Sequence, residues 1–446
     1  MQILKKLVNK HTLSLASNAV MPIVGMVTVS LLARNFPDKE EFGYWILFLI
    51  SFTLANFFRS GFQQTSLVKF YSGATKEKAR NVVGSTWVVG LILTAIFVFF
   101  SFITYIFYQG TPSTELIIKM FGIIYLCTLP SSVALWVLQA EERFDRMFIL
   151  QLIGQGSFFI SIVTLILTHK INFQMVLYAY CWSAMTTSLI SIFLGWAKIS
   201  SIVHKSNACI KELLNFGKYS VGTSISSYLL RASDTYIIKF MFVDPSLVGI
   251  YYLPQRLMEV IEIPLRSFIA TALPAMSAAM QRNDPLQMTY IMKKYAGILT
   301  VLLVPVSIVA FITADIVIGL IGGRQFIASD AANVFRIFMC FAVLLPVDRF
   351  FGISLDILNK PHLNMIKVML MLVVNIAGDF LGIYLFHNLY GVAISSIFTF
   401  LAGIIYGYWV LKKNLKFKIR DIFYLGIVET KLLVISIFSR TGQKIN

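Results

Sequence analysis

Residues 82–108 read VVGSTWVVGLILTAIFVFFSFITYIFY, and no residue in this stretch carries a charged side chain. A helix needs about 20 apolar residues to cross a bilayer, so the stretch predicts a membrane-spanning helix. The whole chain has the same character, because 57% of its 446 residues are hydrophobic and only 13% are charged. Soluble domains carry about 25% charged residues. The composition therefore excludes a soluble globular enzyme and indicates a polytopic membrane protein.

Twelve apolar stretches of this kind follow one another along the chain. Spans 1 to 6 are Thr12–Ala33, Phe42–Phe62, Val82–Tyr108, Leu116–Leu138, Met147–Leu167 and Phe173–Trp196. Spans 7 to 12 are Leu213–Phe240, Leu247–Met276, Tyr295–Ile321, Val334–Leu358, Leu363–Phe386 and Leu389–Leu411. The connections between them are too short to hold a separate domain. We therefore predict an all-α membrane protein with twelve transmembrane helices.

The charge distribution orients these spans. Lysine and arginine outnumber the acidic residues by 38 to 21, giving a net charge of +17. They are concentrated in alternate loops, for example Lys76, Lys78 and Arg80 after span 2, and Lys360 and Lys367 after span 10. Cytoplasmic loops of membrane proteins carry such an excess, so the positive charge does not require a nucleic-acid partner. Both termini are predicted to be cytoplasmic.

The chain after span 12 mixes lysines with short apolar runs. Residues 412–446 are predicted to form a basic amphipathic tail that lies on anionic lipid at the cytoplasmic surface. A thirteenth crossing is the less favoured alternative, because Glu429 and Lys431 interrupt its apolar stretch.

The two halves of the chain resemble each other at an offset of about 206 residues. The sequences FGYW at 42–45 and VGIY at 248–251 each follow an acidic turn that contains proline, and Arg-Ser pairs follow at 59–60 and 266–267. Six helices return the chain to its starting side, so the halves share one orientation and a pseudo-two-fold axis along the membrane normal. A binding site is then expected between the lobes, near mid-depth. The predicted domains are an N-lobe at 1–200, a C-lobe at 201–411 and the tail at 412–446.

Several residues in both halves match positions of one known family. They are Phe216-Gly217, Arg231, Asp234, Gly249 and Tyr251 in the second half, and Gly43-Tyr44 and Gly61-Phe62 in the first. With them the chain resembles the Wzx-type bacterial polysaccharide flippases of the MOP superfamily, whose fold is MATE-like. The sequence departs from the family pattern at Tyr219-Ser220, where proline is common, and at Thr235, where a basic residue is common.

The resemblance implies a transporter and not an enzyme. Its expected activity is alternating-access translocation of an undecaprenyl-pyrophosphate-linked oligosaccharide, such as an O-antigen, capsule or exopolysaccharide repeat unit, across the bacterial inner membrane. A polysaccharide polymerase and glycosyltransferases are the protein partners that this role implies.

Charged side chains inside the predicted spans form the candidate binding site. An arginine at the bilayer centre costs at least about 2.5 kcal/mol, so each must face protein or water. On span 8 a single stripe roughly 120° wide carries four charged residues. The predicted substrate-binding residues are Arg59, Arg231, Asp234, Arg256, Glu259, Glu262, Arg266, Asp348 and Arg349.

Arginine forks suit phosphate and pyrophosphate, while carboxylates would contact sugar hydroxyls. Arg59 has no acidic partner within span 2 and is the strongest single candidate for contact with an anion. The alternative is that these charges form ion pairs that only fix helix packing.

Two further acids, Asp315 and Asp379, stand alone in apolar spans and are candidates for a coupling ion. The alternative for each is a hydrogen-bonded acid in helix packing. No phosphate-binding loop for ATP and no metal-ligand spacing occurs in the sequence, so we expect no cofactor and no catalytic residue. Coupling to protons or sodium is the expected energy source.

Two other functions stay open from the sequence. A multidrug or cation antiporter of the related branch predicts a cavity dominated by acids, whereas basic residues dominate these spans. A membrane glycan polymerase or ligase predicts a sizeable outer loop with acids or histidine, and the outward loops here are short.

Overall fold

The computed structural model describes residues 10–71, 74–242 and 244–442. Within these ranges the backbone is helical almost throughout and contains no strand, as expected for segments whose backbone hydrogen bonds must be satisfied without water. The helices are α1 Lys10–Asn35, α2 Lys39–Tyr71, α3 Lys76–Phe107, α4 Pro112–Cys127, α5 Leu129–Ala140, α6 Phe144–Leu167, α7 Phe173–Phe193, α8 Asn207–Met241, α9 Ser246–Gln281, α10 Pro285–Ile312, α11 Ala314–Gly322, α12 Arg324–Ile327, α13 Ala331–Ala342, α14 Leu345–Ile357, α15 Pro361–Phe386, α16 Leu389–Lys412 and α17 Ile419–Gly442. The predicted all-α class is confirmed.

Eleven of the twelve predicted spans coincide with one helix or with a bent pair of helices. In the part of the chain that the structure describes, eight single helices are long and apolar enough to cross a membrane, and the pairs α4–α5 and α13–α14 raise the number to ten. The helices α1 and α8 cover predicted spans 1 and 7. Span 9 differs from its prediction, because α10 ends at Ile312 and the short helix α11 follows. The protein is a multi-pass membrane protein.

The chain divides into two compact units, Met1–Tyr228 and Leu229–Asn446. The division falls inside α8, later than the sequence-based boundary at 200/201. The first part of α8 belongs to unit 1 because it bonds to α2: the Ser66 hydroxyl donates to the Leu213 carbonyl at 3.3 Å, and the Tyr228 hydroxyl donates to the Ile50 carbonyl at 2.7 Å.

Within the predicted tail, the helix α17 packs against α10 in unit 2. Gly297 and Gly426 let the two backbones touch: a Cβ atom on Gly297 would lie 2.2 Å from the Ile422 carbonyl oxygen. Glu429 accepts a hydrogen bond from the Tyr290 hydroxyl at 2.6 Å and pairs with Lys294 at 2.7 Å. The tail is thus a helix bound to the protein through a glycine contact and an ion pair, which the amphipathic prediction did not include.

Two spans are bent, at equivalent places in the two units. The helices α4 and α5 meet at 41° beside Pro130, and α13 and α14 meet at 50° beside Pro346. Proline has no N–H to donate to the preceding turn, so each bend leaves backbone carbonyls without their helical partners. Inside a bilayer, other protein groups must satisfy these carbonyls.

Arg59 braces the bend of unit 1. Its guanidinium donates to the Tyr125 carbonyl at 2.9 Å, to Asn56 Oδ1 at 2.8 Å and to the hydroxyls of Thr128 and Ser132 at 2.9 and 3.0 Å. It also lies 4.3 Å from the centre of the Tyr125 ring. The residue is only 1% exposed. This geometry corrects the expectation that Arg59 contacts an anionic substrate, because its guanidinium is enclosed by neutral protein acceptors.

A serine satisfies two further backbone groups at the same bend. The Ser188 hydroxyl on α7 accepts a hydrogen bond from the Ser131 backbone N–H at 3.2 Å and donates one to the Cys127 carbonyl. One hydroxyl therefore bridges the two backbone groups that an unbroken helix would have joined to each other.

Lys367 on α15 forms a buried ion pair just after the bend of unit 2. Its ammonium group donates to the Asp348 carbonyl at 2.9 Å and to the Asp348 carboxylate at 2.7 Å, and both side chains are almost fully buried. The sequence-based expectations for both residues need correction. Asp348 is a partner of lysine and not a contact for sugar, and Lys367 lies inside the protein although its position suggested a cytoplasmic loop.

A polar cluster ties helix ends together in unit 1, outside the spans. Lys198 donates to the Tyr71 hydroxyl at 2.6 Å and to Glu141, and Tyr71 donates to Glu141 at 2.6 Å. Burial by itself would raise the pKa of Glu141, but the hydrogen bonds from Lys198 and Tyr71 outweigh it and lower that pKa. The carboxylate therefore stays ionised and holds the cluster together.

We expect R59M to destabilise unit 1, because the substitution removes four hydrogen bonds at the bend and leaves the Tyr125 carbonyl with only the Thr128 hydroxyl as a donor. Each unsatisfied buried group costs about 1–3 kcal/mol, so the variant should unfold at a clearly lower temperature in detergent. The melting temperature of R59K should lie between those of the wild type and R59M, since one ammonium group cannot donate to all the acceptors that surround the planar guanidinium. The control is R80M, at an exposed site on α3, and equal melting temperatures for R59M and R80M would contradict the assigned role.

K367M should leave the Asp348 carboxylate buried without its cation, which typically costs about 3–5 kcal/mol. The double variant D348N/K367M removes the uncompensated charge and should recover most of the lost stability. Thermal unfolding of the purified protein measures both changes. K360M serves as control because Lys360 pairs at the surface with Asn414; a double variant as unstable as K367M would show that the charge is not the cause.

Candidate functional site

Three arginines from three helices converge on one glutamate near the middle of α9. Glu262 lies 3.2 Å from Arg231 on α8, 3.1 Å from Arg266 on α9 and 3.6 Å from Arg349 on α14. We call these four residues the arginine hub. All four were among the substrate-binding residues predicted from the sequence, and the structure brings them together.

The arginine hub carries a net positive charge. Three guanidinium charges and one carboxylate charge leave +2. The Glu262 side chain is 14% exposed, whereas those of Arg231, Arg266 and Arg349 are 49%, 54% and 40% exposed. Each guanidinium has five N–H donors, so a single carboxylate leaves many of them available. Half-exposed arginines at the depth of a membrane span require water or a polar ligand beside them.

The sequence of α9 builds one side of the hub. Glu262 and Arg266 stand four residues apart, on one face of the helix. Arg256 and Glu259, earlier on the same stripe, form a separate ion pair that neutralises itself. The predicted stripe of four charges is therefore divided into a neutral pair and the two α9 residues of the hub.

Neighbouring residues on α14 have different surroundings. Asp348 points into the protein toward Lys367, and Arg349, about 100° further around the helix, reaches Glu262. The sequence prediction grouped both residues in one site, and the structure places only Arg349 in the hub.

A second charged group lies buried in unit 2, and we call Asp234 and Asp379 the acid pair. The Asn375 amide donates to both carboxyl groups, at 2.7 Å to Asp234 and 2.9 Å to Asp379. The Tyr251 hydroxyl donates to Asp234 at 2.5 Å, and the Ser395 hydroxyl donates to Asp379. Asp234 is 5% exposed and Asp379 is inaccessible. Asp234 thus belongs with Asp379, although the sequence grouped it with Arg231.

The acid pair is surrounded by neutral donors. The hydrogen bonds that the structure describes for Asp234 and Asp379 come from an amide and hydroxyls and bring no positive charge. Two carboxylates that share a buried site cannot both remain ionised at low cost. The pair must therefore hold a proton or a small cation to be stable at this depth.

Asp315, the other predicted coupling residue, has a different environment. It lies in the first turn of α11 and forms an ion pair with Arg336 on α13. Its side chain is 55% exposed. The arginine accounts for its charge, and Asp315 lies apart from the acid pair.

Sequence reasoning missed two side chains that organise the acid pair. Asn375 precedes Asp379 by one helical turn on α15, so the spacing alone could have singled it out. Ser395 comes from α16 and carries no such local signal. Both become visible only when the helices are packed.

Solved structures with the same fold include two transporters. A multidrug resistance MATE family transporter of the MOP superfamily, in its inward-facing conformation, matches with a TM-score of 0.74 and 16% identity over 88% of this chain and 96% of its own. The lipid II flippase MurJ, in its inward closed conformation, matches with a TM-score of 0.72 and 16% identity over 96% of this chain and 92% of its own. The chain thus shares the fold of these two proteins.

Sequence comparison identifies a relative and a family. The probable low-salt glycan biosynthesis flippase Agl15 of Haloferax volcanii is 26% identical over 227 residues, which are 50% of this chain and 46% of that protein. The chain thus spans about half the length of the curated relative that it matches. Residues 31–331, about two thirds of the chain, match the model of the family described as polysaccharide biosynthesis protein, and the chain belongs to that family.

Proposed function

We propose that this protein is a flippase for a lipid-linked glycan: it moves a polyprenyl-pyrophosphate-linked oligosaccharide across the bacterial inner membrane by alternating access. In this proposal both termini are cytoplasmic, and glycosyltransferases and a polymerase make and use the cargo. The observation that carries the proposal is the arginine hub, a cluster of net charge +2 at mid-helix depth in a family of polysaccharide biosynthesis proteins.

The chemistry of the cargo explains the need for such a cluster. A pyrophosphate with its sugars cannot enter hydrocarbon without losing its hydration, which is prohibitively costly for a charged group. Arg231, Arg266 and Arg349 offer charge-assisted donors that replace this hydration, and guanidinium forks match phosphate oxygens in geometry. The polyprenyl chain is apolar and stays in the lipid. The protein transports the molecule and makes or breaks no covalent bond.

The acid pair supports a second part of the proposal, which is that a proton or a sodium ion drives the cycle. Asp234 and Asp379 require one of these cations to remain buried, and they share unit 2 with the hub. Exchange of that cation with the two sides of the membrane would link the ion gradient to the state of unit 2.

A multidrug or cation antiporter is the rival that the acid pair could favour. The pair is too enclosed for that role, because Asp234 is 5% exposed and Asp379 has no accessible surface. An organic cation could not reach these carboxylates, whereas a proton or a bare sodium ion could. The three half-exposed arginines of the hub favour an anionic cargo.

Replacing hub arginines should impair transport of a lipid-linked glycan. A charge-assisted hydrogen bond contributes about 1.5–3 kcal/mol, so R231Q, R266Q and R349Q should each weaken transport by about tenfold or more, and the triple variant should abolish it. Purified protein in proteoliposomes is supplied with a pyrophosphate-linked glycan, and a membrane-impermeant lectin reports the glycan that crosses.

The control for this experiment is R336Q, since Arg336 pairs with Asp315 away from the hub. Its transport should equal that of the wild type. Unaltered transport by the triple variant would reject the hub as the cargo site. Drug efflux without glycan transport would identify the antiporter instead.

The coupling role of the acid pair is tested by measuring transport with and without an imposed ion gradient. In the same proteoliposomes, an imposed proton or sodium gradient should accelerate wild-type transport, and the two gradients applied separately identify the ion. D379N should transport slowly and respond to neither gradient, because the neutral amide removes the need for a cation. D315N should respond as the wild type does, and a gradient response that persists in D379N would refute the role of the pair.

A further inference from the structure

Glu262 has an unusual position for a residue of a site that binds anions. Its Oε2 atom faces Arg231 and Arg266, and its Oε1 atom faces Arg349. It is the most buried member of the hub, while the three guanidinium groups extend outward from it. A carboxylate thus occupies the centre at which the three guanidinium groups converge.

The chemistry of Glu262 is that of a stand-in for phosphate. Carboxylates and phosphates accept hydrogen bonds from guanidinium forks in similar geometry. An anionic side chain at this centre competes with an incoming phosphate for the same donors. It also keeps three like charges together, which would otherwise repel one another in a medium of low dielectric constant.

We propose that Glu262 is a tethered counter-ion of the arginine hub, which holds the empty site together and competes with the diphosphate of the cargo so that the cargo can be released. The proposal rests on the proposed flippase function. It assigns Glu262 contacts with arginine, where the sequence suggested contacts with sugar hydroxyls.

The charge count gives the proposal its functional meaning. With Glu262 the hub has a charge of +2, which matches a diphosphate diester, a dianion. Without Glu262 the charge is +3, and the same cargo is held more tightly. A transporter gains nothing from a ground state that binds too strongly, because release then limits turnover. Glu262 supplies the replacement contacts for the arginines as the diphosphate departs, so no guanidinium is left unpaired.

The direct test compares the wild type with E262Q, a neutral side chain of nearly the same shape. The probes are farnesyl-diphospho-N-acetylglucosamine and farnesyl-phospho-N-acetylglucosamine, which share tail and sugar and differ by one phosphate. In detergent, E262Q should bind the diphosphate probe about tenfold tighter or more, and gain less for the monophosphate probe. In proteoliposomes at saturating cargo, its transport should be severalfold slower.

A stability measurement separates this role from simple packing. E262Q without ligand should unfold at a lower temperature than the wild type, because the arginines lack their anion. The diphosphate probe should raise the unfolding temperature of E262Q more than that of the wild type, since stabilisation by a bound ligand increases with the logarithm of its affinity. E262D keeps the charge on a side chain that is one methylene shorter, so its unfolding temperature and its affinity for the diphosphate probe should lie between those of the wild type and E262Q. The charge control is E40Q, at an exposed site on α2.

The outcomes distinguish the two proposals. Weaker or unchanged binding of the diphosphate probe by a folded E262Q would overturn the counter-ion role while leaving the flippase intact. If the wild type bound neither probe and R266Q behaved like the wild type, the hub would not be the cargo site and the proposed function would fail first.

Discussion

Every polar backbone group inside the bilayer must find a partner within the protein, and the two bent spans show how this chain meets that constraint. Pro130 and Pro346 interrupt the helical ladder at equivalent places. In unit 1 a buried arginine and a serine take over the freed groups, and in unit 2 a buried lysine bonds the backbone and side chain of Asp348. Both units thus contain a bend next to proline, and the buried basic side chain near it is an arginine in unit 1 and a lysine in unit 2.

Three charged groups of unit 2 differ in how they meet the same constraint. Lys367 with Asp348 is a closed pair that supports packing, and the acid pair is a closed site that lacks a cation. The arginine hub is the open group, with a net charge and half-exposed donors. Exposure and net charge together, and not the presence of a charge in a span, distinguish the proposed cargo site from a structural ion pair.

The sequence predicted the helices well because apolarity and length alone define a membrane span. The nine candidate residues that it named include all four of the hub, because charged residues are rare inside membrane spans, but it did not separate these four from the other five. It did not anticipate the partners of Arg59, which are neutral, or that of Asp348, which is Lys367 on the next helix. The carbonyl of Tyr125 becomes an acceptor only after the bend at Pro130 forms, and no local pattern in span 2 records that event.

The enclosure of Arg59 has a consequence for how the protein is made. The helix α2 enters the membrane before α4 and α5 have left the ribosome, so its arginine first meets lipid or water without the carbonyl and hydroxyls that later receive it. Stable insertion of α2 therefore depends on segments synthesised afterwards. A nascent chain that stops short of α5 would expose a positive charge within the bilayer, which is costly, so biogenesis of unit 1 is expected to be cooperative rather than helix by helix.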